Sequence, residues 1–197
     1  MRARLPLLSL LAITPAPATA RNLQPMQHAA LTSAQINPNV PPELSRFAFL
    51  IGDWNCDAKL QMPDGTRQTL QATWHGHYIL DGYAIADEYR MTDHAGNLIV
   101  HGMNFRTFDT AAKKFNIKWL DARTGAWSDL VTPNSGTVSI HSNAIAYTFP
   151  EPTGTHPYTR ATYTPLSPVR FTWQGEKSSD QKSWSQFLLV DCHRINI

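Results

Sequence analysis

From Asp53 onward, apolar and polar residues alternate with a period of two. Trp54, Cys56, Ala58 and Leu60 interleave with Asn55, Asp57, Lys59 and Gln61, and Phe115, Ile117 and Trp119 interleave with Asn116 and Lys118. In a strand, alternate residues face opposite sides, so this pattern predicts half-buried β-strands. Turn chemistry interrupts it at close intervals: Asp64-Gly65, Asp81-Gly82, Ala95-Gly96-Asn97, Thr124-Gly125, Asn134-Ser135-Gly136 and Ser142-Asn143. Short strands separated by such turns predict an all-β sandwich or barrel. Every connection is short, which suits an up-and-down meander. Closure of a meander removes both exposed edges. Trp184, Leu188, Val190 and Cys192 share a parity, as do Trp54 and Cys56, so the last strand is expected to pair with the first.

Only one stretch has helical spacing. Pro41-Pro42-Glu43 opens it, with proline in the first turn and an acid near the positive end of the dipole. Leu44, Phe47, Ala48 and Ile51 form its apolar face, and Gly52 ends it. The expectation is all-β: a closed antiparallel up-and-down barrel of about ten strands, preceded by one short helix.

The N-terminus is of another kind. Arg2 and Arg4 precede an apolar run from Leu5 to Ile13, followed by small residues ending Ala18-Thr19-Ala20. A basic start, a short apolar stretch and an A-x-A site describe a secretory signal peptide. The run is too short to cross a bilayer, which needs about 20 residues. The organisation expected is therefore a signal peptide over 1–20, a flexible leader over 21–40 and one barrel domain over 41–197, with a periplasmic or secreted destination. The 17 Lys and Arg against 15 Asp and Glu of the whole chain fall to 15 against 15 once Arg2 and Arg4 are gone. A neutral chain offers no electrostatic footprint for nucleic acid.

Phe49-Leu50-Ile51-Gly52-Asp53-Trp54 resembles the start of a calycin barrel (lipocalins, fatty-acid-binding proteins, avidins), where a short helix leads into G-x-W. The resemblance implies a basic residue late in the last strand packing over that Trp, a role that falls to Arg194. Asp87-Glu88-Tyr89-Arg90, Gly102 to Asp109, Ile117 to Arg123, Arg160 to Tyr163, Phe171 to Glu176 and Trp184 to Phe187 resemble an uncharacterised bacterial family of lipocalin-like domains. That resemblance implies a fold and carries no activity. Gly52, Trp54, Arg194, Cys56 and Cys192 are the structural candidates. Export would let Cys56 and Cys192 hold a disulfide if closure brings them together. Whether they do so is left open at this level.

A barrel of this size can enclose a ligand. Tyr89, Phe105, Trp119 and Trp173 are candidates for an aromatic wall, and Arg90, Arg106 and Arg160 for cationic donors to an acidic group. The function expected is binding of a small hydrophobic or amphipathic, even acidic, molecule. One rival is an enzyme with Glu88 and Arg90 or Arg106 as acid/base and anion-stabilising groups. Another is a filled barrel with an interaction role. His75-Gly76-His77 could place two imidazoles on one face, but Gly76 suggests a bulge, and no metal is assigned. Nitrobindins hold haem through a His late in the chain. His193 has the wrong parity for the interior, so no cofactor is assigned.

The N-terminal pattern makes a direct prediction. The exported protein should begin at Arg21 on N-terminal sequencing, and a mature chain that keeps Met1 and stays in the cytoplasm would refute the signal.

Overall fold

The computed structural model describes residues 38–151 and 156–195. The expected signal peptide and most of the expected leader lie outside these residues. Pro42–Leu50 forms the helix, which is a 3₁₀ helix rather than an α-helix. Its buried residues are Leu44, Phe47 and Leu50. A spacing of three is the natural stripe of a helix with three residues per turn. Ile51 has already turned to extended backbone.

Eleven strands follow: β1 (Gly52–Gln61), β2 (Arg67–Ile79), β3 (Ala84–Thr92), β4 (Leu98–Asp109), β5 (Lys114–Asp121), β6 (Ala126–Val131), β7 (Thr137–His141), β8 (Ala144–Pro150), β9 (Tyr158–Ser167), β10 (Arg170–Ser178) and β11 (Ser185–Arg194). They form one antiparallel sheet in the order β6-β5-β4-β3-β2-β1-β11-β10-β9-β8-β7. The first and last strands therefore pair, with Trp54 opposite Arg194 and Cys56 opposite Cys192. The barrel is nearly closed, and its one discontinuity falls in mid-chain. β6 and β7 are not paired with each other, and the turn between them holds only the isolated bridge between Thr132 and Ser135. Gly136, at φ +76, brings the turn there so close to β6 and β8 that an added Cβ would lie 2.5 Å from the Leu130 carbonyl and 3.3 Å from that of Thr148.

Closure at β1 and β11 is reinforced at two places along the seam. Inside, Cys56 and Cys192 are joined by a disulfide across a sequence separation of 136 residues. In the chain-entropy model a loop of that length is worth about 4–5 kcal/mol. At the end of the barrel the Arg194 guanidinium lies 4.0 Å above the Trp54 ring. It donates to the carbonyls of Ile51 at 2.6 Å, Phe49 at 3.4 Å and Pro168 at 3.0 Å. Trp54 Nε1 donates to the Leu50 carbonyl at 3.1 Å. Carbonyls at a helix C-terminus have no partner within the helix. Here one arginine and one tryptophan satisfy three of them and tie the helix to both terminal strands. Gly52 makes room for this: its φ is +113, and an added Cβ would lie 2.2 Å from Arg194 Nη1.

Two local expectations change. Gly76 is not a bulge, because its pairing with β1 and β3 runs on without a shift. It is glycine because the helix end crosses it: an added Cβ would lie 2.1 Å from the Leu50 carbonyl oxygen. Trp184 does not share the inner face of Leu188 and Val190. A bulge at Gly175/Glu176 breaks the register with β11, and Trp184 instead packs under the Arg160 guanidinium at 4.3 Å. No helix among the described residues is long and apolar enough to cross a membrane.

The clamp yields a stability test. Gly52→Ala should cost about 1–3 kcal/mol, from the strained φ and the collision with Arg194. Arg194→Ala should cost a similar amount through lost charge-assisted hydrogen bonds and cation–π attraction. In urea unfolding the double variant should lose less than the sum by at least about 0.5 kcal/mol, since removing the guanidinium removes the collision. Additive losses would contradict this geometry.

Candidate functional site

The inner face divides into a filled end and an open one. At the helix end, Phe47, Phe49, Trp54, Trp74, Tyr163 and Phe171 pack mostly edge-to-face, with ring centroids 4.8–6.2 Å apart. Edge-to-face packing sets positive ring edges against negative faces and is favourable beyond simple burial. Beyond this plug lies a cavity of about 730 Å³ that reaches the β6–β8 side of the barrel. Pockets of 300–1,000 Å³ are typical of small-molecule sites.

Aromatic rings make its walls: Trp119, Trp173, Phe149 and Phe187, with Val100, Leu130 and Leu188 between them. Two glycines make space for the larger rings. An added Cβ at Gly102 would lie 2.2 Å from the Trp119 ring, and one at Gly175 would lie 2.6 Å from Trp173 and 2.5 Å from Phe187. Each ring thus rests on backbone that carries no side chain of its own.

The polar side of the cavity is supplied by Tyr89, Asn104, Tyr147 and Tyr163. Behind it sits a buried ion pair. Asp87 on β3 and Arg106 on β4 are both fully buried and directly bonded to each other. Asn104 Nδ2 donates to Asp87 Oδ2 at 2.9 Å, and Arg106 Nη2 donates to the Tyr163 hydroxyl at 2.8 Å. The Tyr147 and Tyr163 oxygens are 2.9 Å apart. Arg106 also sits 4.9 Å from the centre of the Phe47 ring. Burial pushes the Asp87 carboxyl up, against the pull of Arg106 and Asn104. Burial works against the Arg106 charge too, yet Asp87 and the two phenols hold its pKa above the ordinary value. Losing one partner of such a pair leaves an uncompensated buried charge, typically a cost of about 3–5 kcal/mol.

The residues singled out from the sequence separate into groups. Tyr89, Trp119 and Trp173 line the cavity. Arg106 faces inward but is spent on Asp87 and Tyr163 beneath the lining. Arg90 is exposed on the outer wall. Phe105 packs its ring against Trp127 at 5.4 Å and does not line the cavity. Arg160 bonds to Glu176 through Nε at 2.8 Å and stacks on Trp184, so it too is absent from the lining. Strand parity accounts for this. Tyr89 and Arg90 are adjacent, as are Phe105 and Arg106, and adjacent residues cannot both point inward. The acid/base set of the enzyme reading is dispersed for the same reason: Glu88 pairs with His101 at 2.6 Å, away from the cavity lining. His75 is held by Asp53 at 2.8 Å, and His193 is exposed beside Asp191.

Sequence reading passed over Asp87, Asn104, Tyr147, Phe149, Tyr163 and Phe187. Parity was a usable signal for three of these: Asp87 with Tyr89, and Asn104 with Arg106, and Tyr163 with Ala161. For Phe187 it was not, because the bulge at Gly175/Glu176 disturbs the alternation. Lining residues include the acids Asp129 and Glu151 but no Arg or Lys.

Among solved structures, the chain resembles Rv2717c from M. tuberculosis, with TM-score 0.53, 11% identity and coverage of 80% of this chain and 100% of that one. It also resembles the S-type phycobiliprotein lyase CPES from Guillardia theta, with TM-score 0.53, 8% identity and coverage of 78% and 92%. At these identities the likeness concerns the fold. None of the curated proteins matches the chain. A family model described as "Protein of unknown function (DUF1579)" matches residues 42–194, nearly the whole described barrel, and the chain belongs to that family.

Proposed function

We propose that this protein is an extracytoplasmic binder of a small, largely apolar molecule, which it holds in the barrel cavity. The observation that carries this reading is the cavity itself: about 730 Å³ of space with aromatic walls in a barrel of otherwise packed interior. An aromatic wall favours a flat or aliphatic body, with burial worth about 25 cal/mol per Å² of apolar surface. The buried Cys56–Cys192 disulfide suits an oxidising compartment and supports the export reading.

An acidic ligand is not part of this proposal. The three arginines expected to receive it are either exposed on the outer wall, paired with Glu176, or neutralised by Asp87.

The test uses a neutral dye, N-phenylnaphthylamine, whose fluorescence rises in apolar surroundings. Saturable binding is expected at one dye per chain. Trp173→Ala should weaken it by about tenfold, the equivalent of roughly 1.4 kcal/mol of lost wall contact. Arg90→Ala, on the outer wall, should leave it unchanged. Absence of saturable binding, or equal losses in the two variants, would refute the cavity as the site.

A further inference from the structure

The two phenols at the polar side of the cavity carry one proton more than their shared hydrogen bond uses. Tyr147 and Tyr163 are 2% and 0% exposed, and both contribute to the cavity lining. Each hydroxyl has one proton to donate and can accept. Their oxygens are 2.9 Å apart, so one of the two protons lies between them. The Tyr163 oxygen also accepts from Arg106 Nη2 at 2.8 Å. A guanidinium has only donors, so it consumes acceptor capacity and no proton. Two phenol protons enter this network and one is used. The other has no acceptor among the described residues. Burial raises the pKa of both phenols, so neither sheds its proton to resolve the mismatch.

The position of the spare proton follows from the surroundings of each oxygen. Tyr163 is fully buried, bonded to Arg106 and packed against Phe47 and Trp74. The 2.9 Å distance allows either phenol to donate, but the one whose oxygen accepts from a guanidinium is the stronger donor, which assigns the Tyr163 proton to Tyr147. The proton left over is then that of Tyr147, next to Phe149 on the same inner face of β8. A buried donor without an acceptor costs about 1–3 kcal/mol, and a ligand that brings an acceptor removes that cost.

We infer that the cavity takes a neutral ligand with an apolar body and a hydrogen-bond-accepting head, of the ketone, ester or amide kind, and that Tyr147 donates to that head. This rests on the cavity reading above and specifies its ligand class. A carboxylate head would also accept the proton, but it meets no free cation among the described lining residues. Of the two lining acids, Asp129 is paired with Lys118 at 2.7 Å, while Glu151 accepts only from the Thr159 hydroxyl and opposes an anion.

Three probes of one shape separate these possibilities: methyl naphthyl ketone, its hydrocarbon isostere with C=CH2 in place of C=O, and the naphthoate anion. Calorimetry on the full mature protein should show the ketone binding about 3–10-fold tighter than the isostere, with naphthoate weakest. In Tyr147→Phe the ratio of ketone to isostere should fall to about 1, while the isostere keeps its affinity and so reports an intact cavity. Equal affinity for ketone and isostere in the unmodified protein overturns the inference, as does a ketone preference that survives in Tyr147→Phe or a preference for naphthoate. If Tyr147→Phe does not fold, the ratio measured in the unmodified protein decides alone. Failure of all three probes to bind refutes the cavity reading itself and the inference with it.

Discussion

Everything in this molecule hangs on the pairing of the first strand with the last. An up-and-down sheet of eleven strands has two ends, and pairing β1 with β11 brings the two ends of the barrel segment together. That is a long-range contact with a large loop entropy to overcome. The protein meets it with three interactions at one seam: the backbone ladder of β1 on β11, the disulfide across it, and Arg194 reaching over Trp54 to the helix carbonyls. Gly52 and Gly76 are glycines because this junction leaves no room for a Cβ. The helix, held there by its own C-terminal carbonyls, becomes the plug for one end of the barrel.

With that end sealed, the interior is unevenly filled. Edge-to-face aromatics occupy the helix end, and the buried Asp87–Arg106 pair marks the boundary. Beyond it Trp119, Trp173, Phe149 and Phe187 line an open space, with Trp173 and Phe187 meeting edge-to-face at 6.4 Å. The break between β6 and β7 lies on this open side. A buried ion pair is poor evidence for stability. Its consequence here is geometric: Asp87 fixes Asn104, and Arg106 fixes Tyr163 and through it Tyr147. The polar groups of the cavity lining are thus held by residues behind it.

Much of the fold was legible in residue order. Period-two alternation, Asx-Gly turns, the G-x-W start and the matching parity of Cys56 and Cys192 all pointed to a meander that closes at its termini, and the sheet order agrees. The helix lies within a residue or two of its expected place, but residue order does not give its 3₁₀ form. Its apolar residues at spacings of three and four suit either form. The candidate site was less legible. Grouping Tyr89 with Arg90 and Phe105 with Arg106 placed neighbours of opposite parity in one cavity, which strand geometry forbids. Trp184 was misplaced because a bulge at Gly175/Glu176 offsets the alternation, and a bulge leaves little trace in residue order.

By itself, the sequence determined which residues are strands, where they turn and which faces are apolar, because those follow from local alternation and turn chemistry. The tertiary structure alone decided where the sheet stays open, which arginine is neutralised by which acid, and that two distant tyrosine hydroxyls meet. Asp87 and Arg106, or Tyr147 and Tyr163, meet only through strand pairing and barrel curvature. Whether a buried charge is spent or free depends on groups many residues away, and alternation along a strand carries no information about them.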